Sequence, residues 1–222
     1  MARPRSDIEP RIIRAAHELF LREGVDAASL RAIARSAGTN VGMVYYYFPT
    51  KDDLFLAVVE DAYVGVLERL AEALAPSLDV EERLRRASSF VSFMNEHERE
   101  VSRIVLRELM TSTERRAQVV ARFQRGHLPL VIDTIASGVR EGKVDPALPF
   151  ALVMTCAFAV CVVPQVMLPI LDAHLPLLGP MPQGEELAQL MVGAFFKGVA
   201  PREVSPAAVG VDPGNSDQGG EK

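Results

Sequence analysis

Apolar residues recur three and four positions apart along almost the whole chain. No stretch alternates with period two over strand length, so the pattern predicts an all-α protein. Near the start, Ile12, Ala16, Leu19 and Phe20 share one helical face that stops near Gly24. Ser6 and Glu9 have the spacing of a capping box for this helix, and Pro10 falls in the first turn, where it is tolerated. A second, short helix follows Ser29, with Leu30, Ile33, Ala34 and Ala37 inward and Gly38 as terminator; a third runs from about Asn40 to Tyr47. Pro49 breaks the chain, and Thr50 with Asp53 caps a fourth helix. Its apolar positions Leu54, Val58, Leu67, Leu70 and Leu74 continue to Pro76, long enough to link two domains. Further helices are expected at about 79–95, 98–111, 113–141, 146–173 and 185–199. The tail from Pro201 is rich in Gly, Pro, Ser and Asp without a core-forming pattern, which predicts disorder over 201–222.

Two short helices joined by Gly38 and Thr39, behind a longer supporting helix, have the layout of a helix-turn-helix. In that motif the second helix braces and the third enters the DNA major groove. Val44 and Phe48 lie four apart and can pack inward, which turns Met43, Tyr46 and Tyr47 toward another face. Three consecutive tyrosines cannot all be buried on one helix. Tyr45 admits two readings, core between helices or exposed. Exposed tyrosines suit a DNA partner, because their hydroxyls donate to phosphate oxygens and their rings pack on sugar.

Composition and charge refine this picture. The 222 residues are 49% apolar, as in a globular protein, with a formal charge of −5. That total hides an asymmetry: up to Lys51 eight basic residues face five acids, about +3, while the remainder carries 16 bases and 24 acids, about −8. Cys156 and Cys161 lie in an apolar stretch without CxxC spacing, which suits core packing in a reducing cytoplasm. The start, MARPRSDIEP, has no apolar segment, so no signal peptide is expected; Arg3 and Arg5 read either as a minor-groove arm or as a solvated end. The uncharged run from Pro146 to Leu171 is long enough to span a bilayer. Pro149, Pro164 and Pro169, and the lack of flanking basic clusters, favour a buried or interfacial helix instead.

Enzyme readings find little in the sequence. The run from Gly138 to Val144 imitates a phosphate loop, but it is one residue short between its glycines and has Val144 where a magnesium-binding hydroxyl should stand. His17, His97, His127 and His174 are scattered without metal spacing, and no nucleophile elbow occurs. No catalytic residue, metal or cofactor is expected. The rival classes are an enzyme with an accessory helical domain and a membrane-associated helical adaptor.

The run from Ala32 to Leu54, AIARSAGTNVGMVYYYFPTKDDL, together with Ala15, Leu19 and Phe20, resembles the TetR family of bacterial transcriptional regulators over about residues 8–58. The resemblance implies a helix-turn-helix DNA-binding domain at 1–52 and a helical ligand-binding and dimerisation domain at 53–200. It further implies a cytoplasmic homodimer on double-stranded operator DNA, acting as a repressor that a small hydrophobic effector releases. Tyr45, Tyr46 and Lys51 match positions that hold phosphates; Thr39, Asn40, Val41, Gly42 and Met43 match positions facing base edges, and Arg31 one that also reaches DNA. Val41 departs from the pattern, standing where a polar or basic residue is common. Base discrimination then rests on contact with thymine methyls, on Asn40 and on Arg31.

The same resemblance implies an effector among the helices after the linker. There Phe90, Met94, Met110, Phe123, Met154 and Phe158 are the candidate lining, beside Phe93 and Met167; each can equally be ordinary core. His97, Arg107, His127 and Gln165 are the polar groups that could orient a ligand. The last two helices are implied to pair across a two-fold axis as a four-helix bundle, with Leu187, Leu190, Met191, Ala194 and Phe195 at the interface.

Overall fold

The computed structural model describes residues 7–174, 179 and 182–201, and among them there are ten helices and no strand. They are α1 (Ile8–Glu23), α2 (Leu30–Ser36), α3 (Val41–Tyr47), α4 (Lys51–Ala73), α5 (Val80–Ser92), α6 (Glu96–Thr111), α7 (Thr113–Gln124), α8 (Leu128–Arg140), α9 (Phe150–His174) and α10 (Gly184–Val199). Ser6 and the tail from 202 onward lie outside the described residues; α1 starts from Asp7, whose side chain makes no capping bond.

Capping chemistry sets most boundaries. The Thr50 hydroxyl accepts from the Asp53 amide at 3.0 Å while the Asp53 carboxylate accepts from the Thr50 amide at 3.0 Å, the reciprocal box expected for α4. Asn95 and Glu98 form a second box, so α6 begins at Glu96 rather than at 98. Asp79 caps α5 through the amides of Glu81 and Glu82. The expected single helix over 113–141 is two. Its apolar period runs on, but Pro129 occupies the first turn of α8, where its missing N–H costs nothing, and Gly126 sits at the break. A Cβ at Gly126 would lie 2.3 Å from the Tyr63 Oη, so only glycine admits this approach of the α4 tyrosine.

Two apolar cores result. The first takes Ile12, Phe20, Val25, Ile33, Val44, Phe48, Leu54, Phe55 and Val58 from α1 to α4 and continues into Val101, Ile104 and Val119 of α6 and α7. The second joins Leu84, Ile135, Val144, Val153, Ala157, Cys161, Val192, Phe195 and Val199 from α5 and α8 to α10. Burial pushes the Cys161 thiol up to about 12, which leaves it inert as packing. Between the cores, the buried Arg83 donates to the Leu74 carbonyl, the Ser137 hydroxyl and the Asp133 carboxylate, tying the ends of α4, α5 and α8 together.

Helix α9 is two-sided. Val153, Ala157, Cys161 and Gln165, spaced by four, face α5 and α10, whereas Leu152, Phe158, Val163, Val166 and Met167 face outward, Phe158 with 58% of its surface exposed. Phe150–Leu168 is long and apolar enough to cross a membrane.

Candidate nucleic-acid interface

The reading helix α3 is held from behind. Val44 and Phe48 are buried, as their spacing predicts, and they fix the helix against α1 and α4. Asn40 supplies the N-cap, its Oδ1 accepting from the Met43 amide at 3.0 Å. The turn before it needs Gly38, which adopts φ +64°, in the left-handed region. Arg11 of α1 clamps that turn, donating to the carbonyls of Ala37 and Gly38 at 2.9 Å each. Sequence reading missed this clamp, whose partners lie 26 and 27 residues apart.

What remains on the outer face is the expected set. Arg31, Asn40, Gly42, Tyr45 and Tyr46 are exposed, and Thr39, Val41 and Met43 are half-buried at its edge. Tyr46 shows 76% of its surface and Tyr45 53%, which resolves the two readings of Tyr45 in favour of exposure. The Tyr46 ring stands edge-on to Tyr47 at 5.2 Å, which limits its rotamers. Lys51 is placed differently from a free phosphate ligand. Its Nζ donates to the carbonyls of Val25 at 3.1 Å and Asp26 at 2.8 Å, fixing the α1–α2 turn and leaving one of its three donors for another acceptor.

The reading helices are moored to the rest of the molecule by long-range ion pairs. Arg115 of α7 is buried and donates to Glu108 of α6 at 2.6 Å, to Asp26 of the α1–α2 turn at 2.7 Å and to Asp52 of α4 at 3.1 Å. Burial opposes its charge, but these three hydrogen bonds outweigh the burial and raise its pKa further above the usual value. Arg107 of α6 also donates to the Phe20 carbonyl near the end of α1. Close by, His17 of α1 meets His97 of α6 edge-on at 4.7 Å, facing Glu100 and Asp61.

The other expected clusters do not assemble as such. Met110 is 76% exposed on α6 and Phe158 faces outward on α9, so neither lines an interior cavity. Phe123 packs against Tyr63 and His127 at the α7–α8 break, Met154 borders the second core, and Met94 is half-buried after α5. Phe90 lines a cleft together with Phe93. Among the dimer candidates, Leu187 and Phe195 are buried within their own protomer, which corrects their assignment to an interface. Leu190 and Ala194 are exposed and Met191 half-buried. Helix α10 is apolar on more than one side, so periodicity could not tell these faces apart. Two of the polar candidates are engaged within the fold: Gln165 bonds Ser92, Ser88 and the Gly184 carbonyl, and the His127 Nδ1 lies 2.6 Å from the Tyr63 hydroxyl.

Two of these histidines give the fold a pH dependence. Burial, then His97, holds the His17 pKa below its ordinary value, although Glu100, Glu18 and Asp61 pull the other way. Burial, then Arg122, lowers that of His127, whose Nδ1 lies 2.6 Å from the Tyr63 hydroxyl. Both groups bind protons more readily unfolded than folded, so stability should fall as pH drops below their unfolded value of 6.5. The slope is at most about 1.4 kcal/mol per pH unit for each histidine. The lowered carboxylates Glu60, Asp79, Glu82, Glu98 and Asp133 act only at lower pH. Urea midpoints measured from about pH 7.5 to about 5.5 should decline, and less steeply in His127→Gln. A midpoint that stayed level or rose on acidification would remove this account.

A clamped turn and a capped short helix that offers tyrosines and polar residues outward define a helix-turn-helix transcriptional regulator. A family model described as "Bacterial regulatory proteins, tetR family" matches residues 12–58, the stretch from the middle of α1 into α4. Over that stretch the chain is similar to the TetR family of bacterial helix-turn-helix regulators. It is 26% identical over 145 residues to the HTH-type transcriptional regulator UidR of Escherichia coli (strain K12), covering 61% of this chain and 68% of that protein. It is 22% identical over 147 residues to the fatty acid metabolism regulator protein of Bacillus subtilis, covering 66% and 76%. Its fold is similar to the crystal structure of the transcriptional regulator FadR from Bacillus subtilis in complex with stearoyl-CoA. That match has a TM-score of 0.66 at 20% identity, over 86% of this chain and 98% of that one.

Proposed function

We propose that the chain is a cytoplasmic repressor, dimeric on an inverted-repeat operator and released from it by a small hydrophobic effector. The observation that carries the DNA reading is the outward face of α3, where Asn40, Gly42, Tyr45 and Tyr46 stand exposed beside Arg31 of α2. In this reading residues 1–52 contact DNA, with Tyr45, Tyr46 and the spare donor of Lys51 on phosphates, and residues 53–200 sense and dimerise. Gly42 lets the groove wall come close, since nothing but the cap oxygen of Asn40 lies near where its Cβ would be. The outward stripe of α9, with Leu190 and Ala194 of α10, is covered by a second copy in a two-fold bundle. Effector control is supported by the likeness to a regulator of fatty acid metabolism and to a regulator that binds stearoyl-CoA. An effector that favours a conformation with mismatched heads weakens DNA binding, and operator DNA must weaken effector binding by the same factor.

Selection from random DNA tests the reading and should return a palindrome with half-sites about one helical turn or more apart. Tyr46→Ala should weaken binding to every sequence alike. Asn40→Ser, which keeps a capping oxygen, should in addition relax preference at one base pair by about 1–3 kcal/mol. Selection that enriched no palindrome at low salt would overturn the reading.

A further inference from the structure

Where α4, α5 and the first turn of α10 meet, a cleft of about 350 Å³ opens to solvent. That volume falls at the small end of ligand sites, about 300–1,000 Å³. Its walls have two chemistries. One is aromatic, built from Phe90 and Phe93, with Phe93 69% exposed. The other is cationic, built from Arg69, Arg85 and Arg86. Arg69 is fixed in place, its guanidinium 4.9 Å above the Phe90 ring and paired to the buried Glu98 of α6. Arg85 and Arg86 share the carboxylate of Glu82, so two cations divide one anion; Arg85 takes a second partner in Glu185 of α10, whose side chain is 69% exposed. Ser89, on the same wall, has a buried hydroxyl with no hydrogen-bond partner.

From this arrangement we infer that the cleft binds an amphiphile with an anionic head and an apolar tail. The head takes the place of Glu185 on Arg85, reaches Arg86 and accepts from the Ser89 hydroxyl. The tail lies on Phe90 and Phe93. Glu185 is the exchangeable partner because it is the most exposed carboxylate on the arginines, whereas Glu98 is buried behind Arg69 and Glu82 is held by two guanidiniums. Its displacement also removes an ion pair that joins the start of α10 to α5. The inference rests on the effector reading above and names the chemical class of the effector. Through α10 it joins the ligand to the helices proposed to pair between copies.

The full-length chain would be titrated calorimetrically with dodecanoate, dodecyl phosphate and dodecanol, each kept monomeric. One anion per chain should bind, and dodecanol at least about tenfold more weakly, since a charge-assisted hydrogen bond is worth about that factor or more. Arg86→Gln, at a half-exposed position, should weaken both anions about tenfold and leave dodecanol unchanged. Glu185→Gln should tighten the anions, because it removes the competing carboxylate; a merely structural role for Glu185 predicts no such gain. The tighter of the two anions identifies the head as carboxylate or phosphate. Dodecanol binding as tightly as the anions, anion affinity unchanged in both variants, or binding of none of the three would overturn the proposal. Operator affinity, measured in parallel, separates the two readings. Anion binding without DNA release keeps the site and removes the effector role, whereas DNA release by dodecanol that ignores Arg86→Gln does the reverse.

Discussion

Arg115→Ala should destabilise the protein by about 3–5 kcal/mol, the cost of leaving a buried charge without its partner. The charge in question is Glu108, 3% exposed, whose next nearest cation is Arg107 at 3.7 Å. The same change releases Asp26 and Asp52, and leaves Arg122–Glu60 as the ion pair that joins α7 to α4. Those two acids contribute less than Glu108. Asp26 has 83% of its side chain in solvent, so Asp26→Asn should cost under about 1 kcal/mol. Arg115→Lys keeps the charge but loses the three-way fork and should fall between these limits. If desolvation of Glu108 is the cause, the double variant Arg115→Leu with Glu108→Leu should recover most of the loss. Urea denaturation of the four variants decides the matter, and a loss below about 1 kcal/mol in Arg115→Ala would show that Glu108 finds another partner.

Phe158→Glu should turn a dimer into a folded monomer and lower operator affinity by about 10²–10⁴-fold, the gain that linking two heads ordinarily supplies. Phe158 lies on the outward stripe of α9, away from both cores, so the glutamate is accommodated in the isolated protomer. In a two-fold interface each change occurs twice, and two carboxylates would be desolvated together. Phe195→Glu should behave differently. That ring is 6% exposed within the second core, so a charge there unfolds the chain rather than dividing the dimer. Light scattering with circular dichroism separates the two outcomes. Phe158→Glu remaining dimeric would place the interface elsewhere, and wild-type chain partitioning into lipid vesicles would assign the stripe to a membrane.

Much of this molecule is encoded within four residues of each position. The helical period of the apolar residues, the Thr50–Asp53 box, the punctuation by Gly38 and Pro49 and the inward pair Val44 and Phe48 together specify an all-α chain that opens with a helix-turn-helix. They also determine which residues of α3 are left for a partner, because burying one face of a short helix exposes the other. Tertiary structure decided what such spacing cannot carry. The break at Gly126 depends on a tyrosine 63 positions earlier in the chain. Lys51 and Arg11 act on carbonyls about a helix-turn-helix away, and Arg115 pairs with an aspartate 89 residues distant. On α9 and α10 the residues that meet their own core and those left outside are equally apolar. Periodicity therefore marked both faces alike, and only the packing of α5 against them placed Leu187 and Phe195 inside and left Phe158 and Leu190 in solvent.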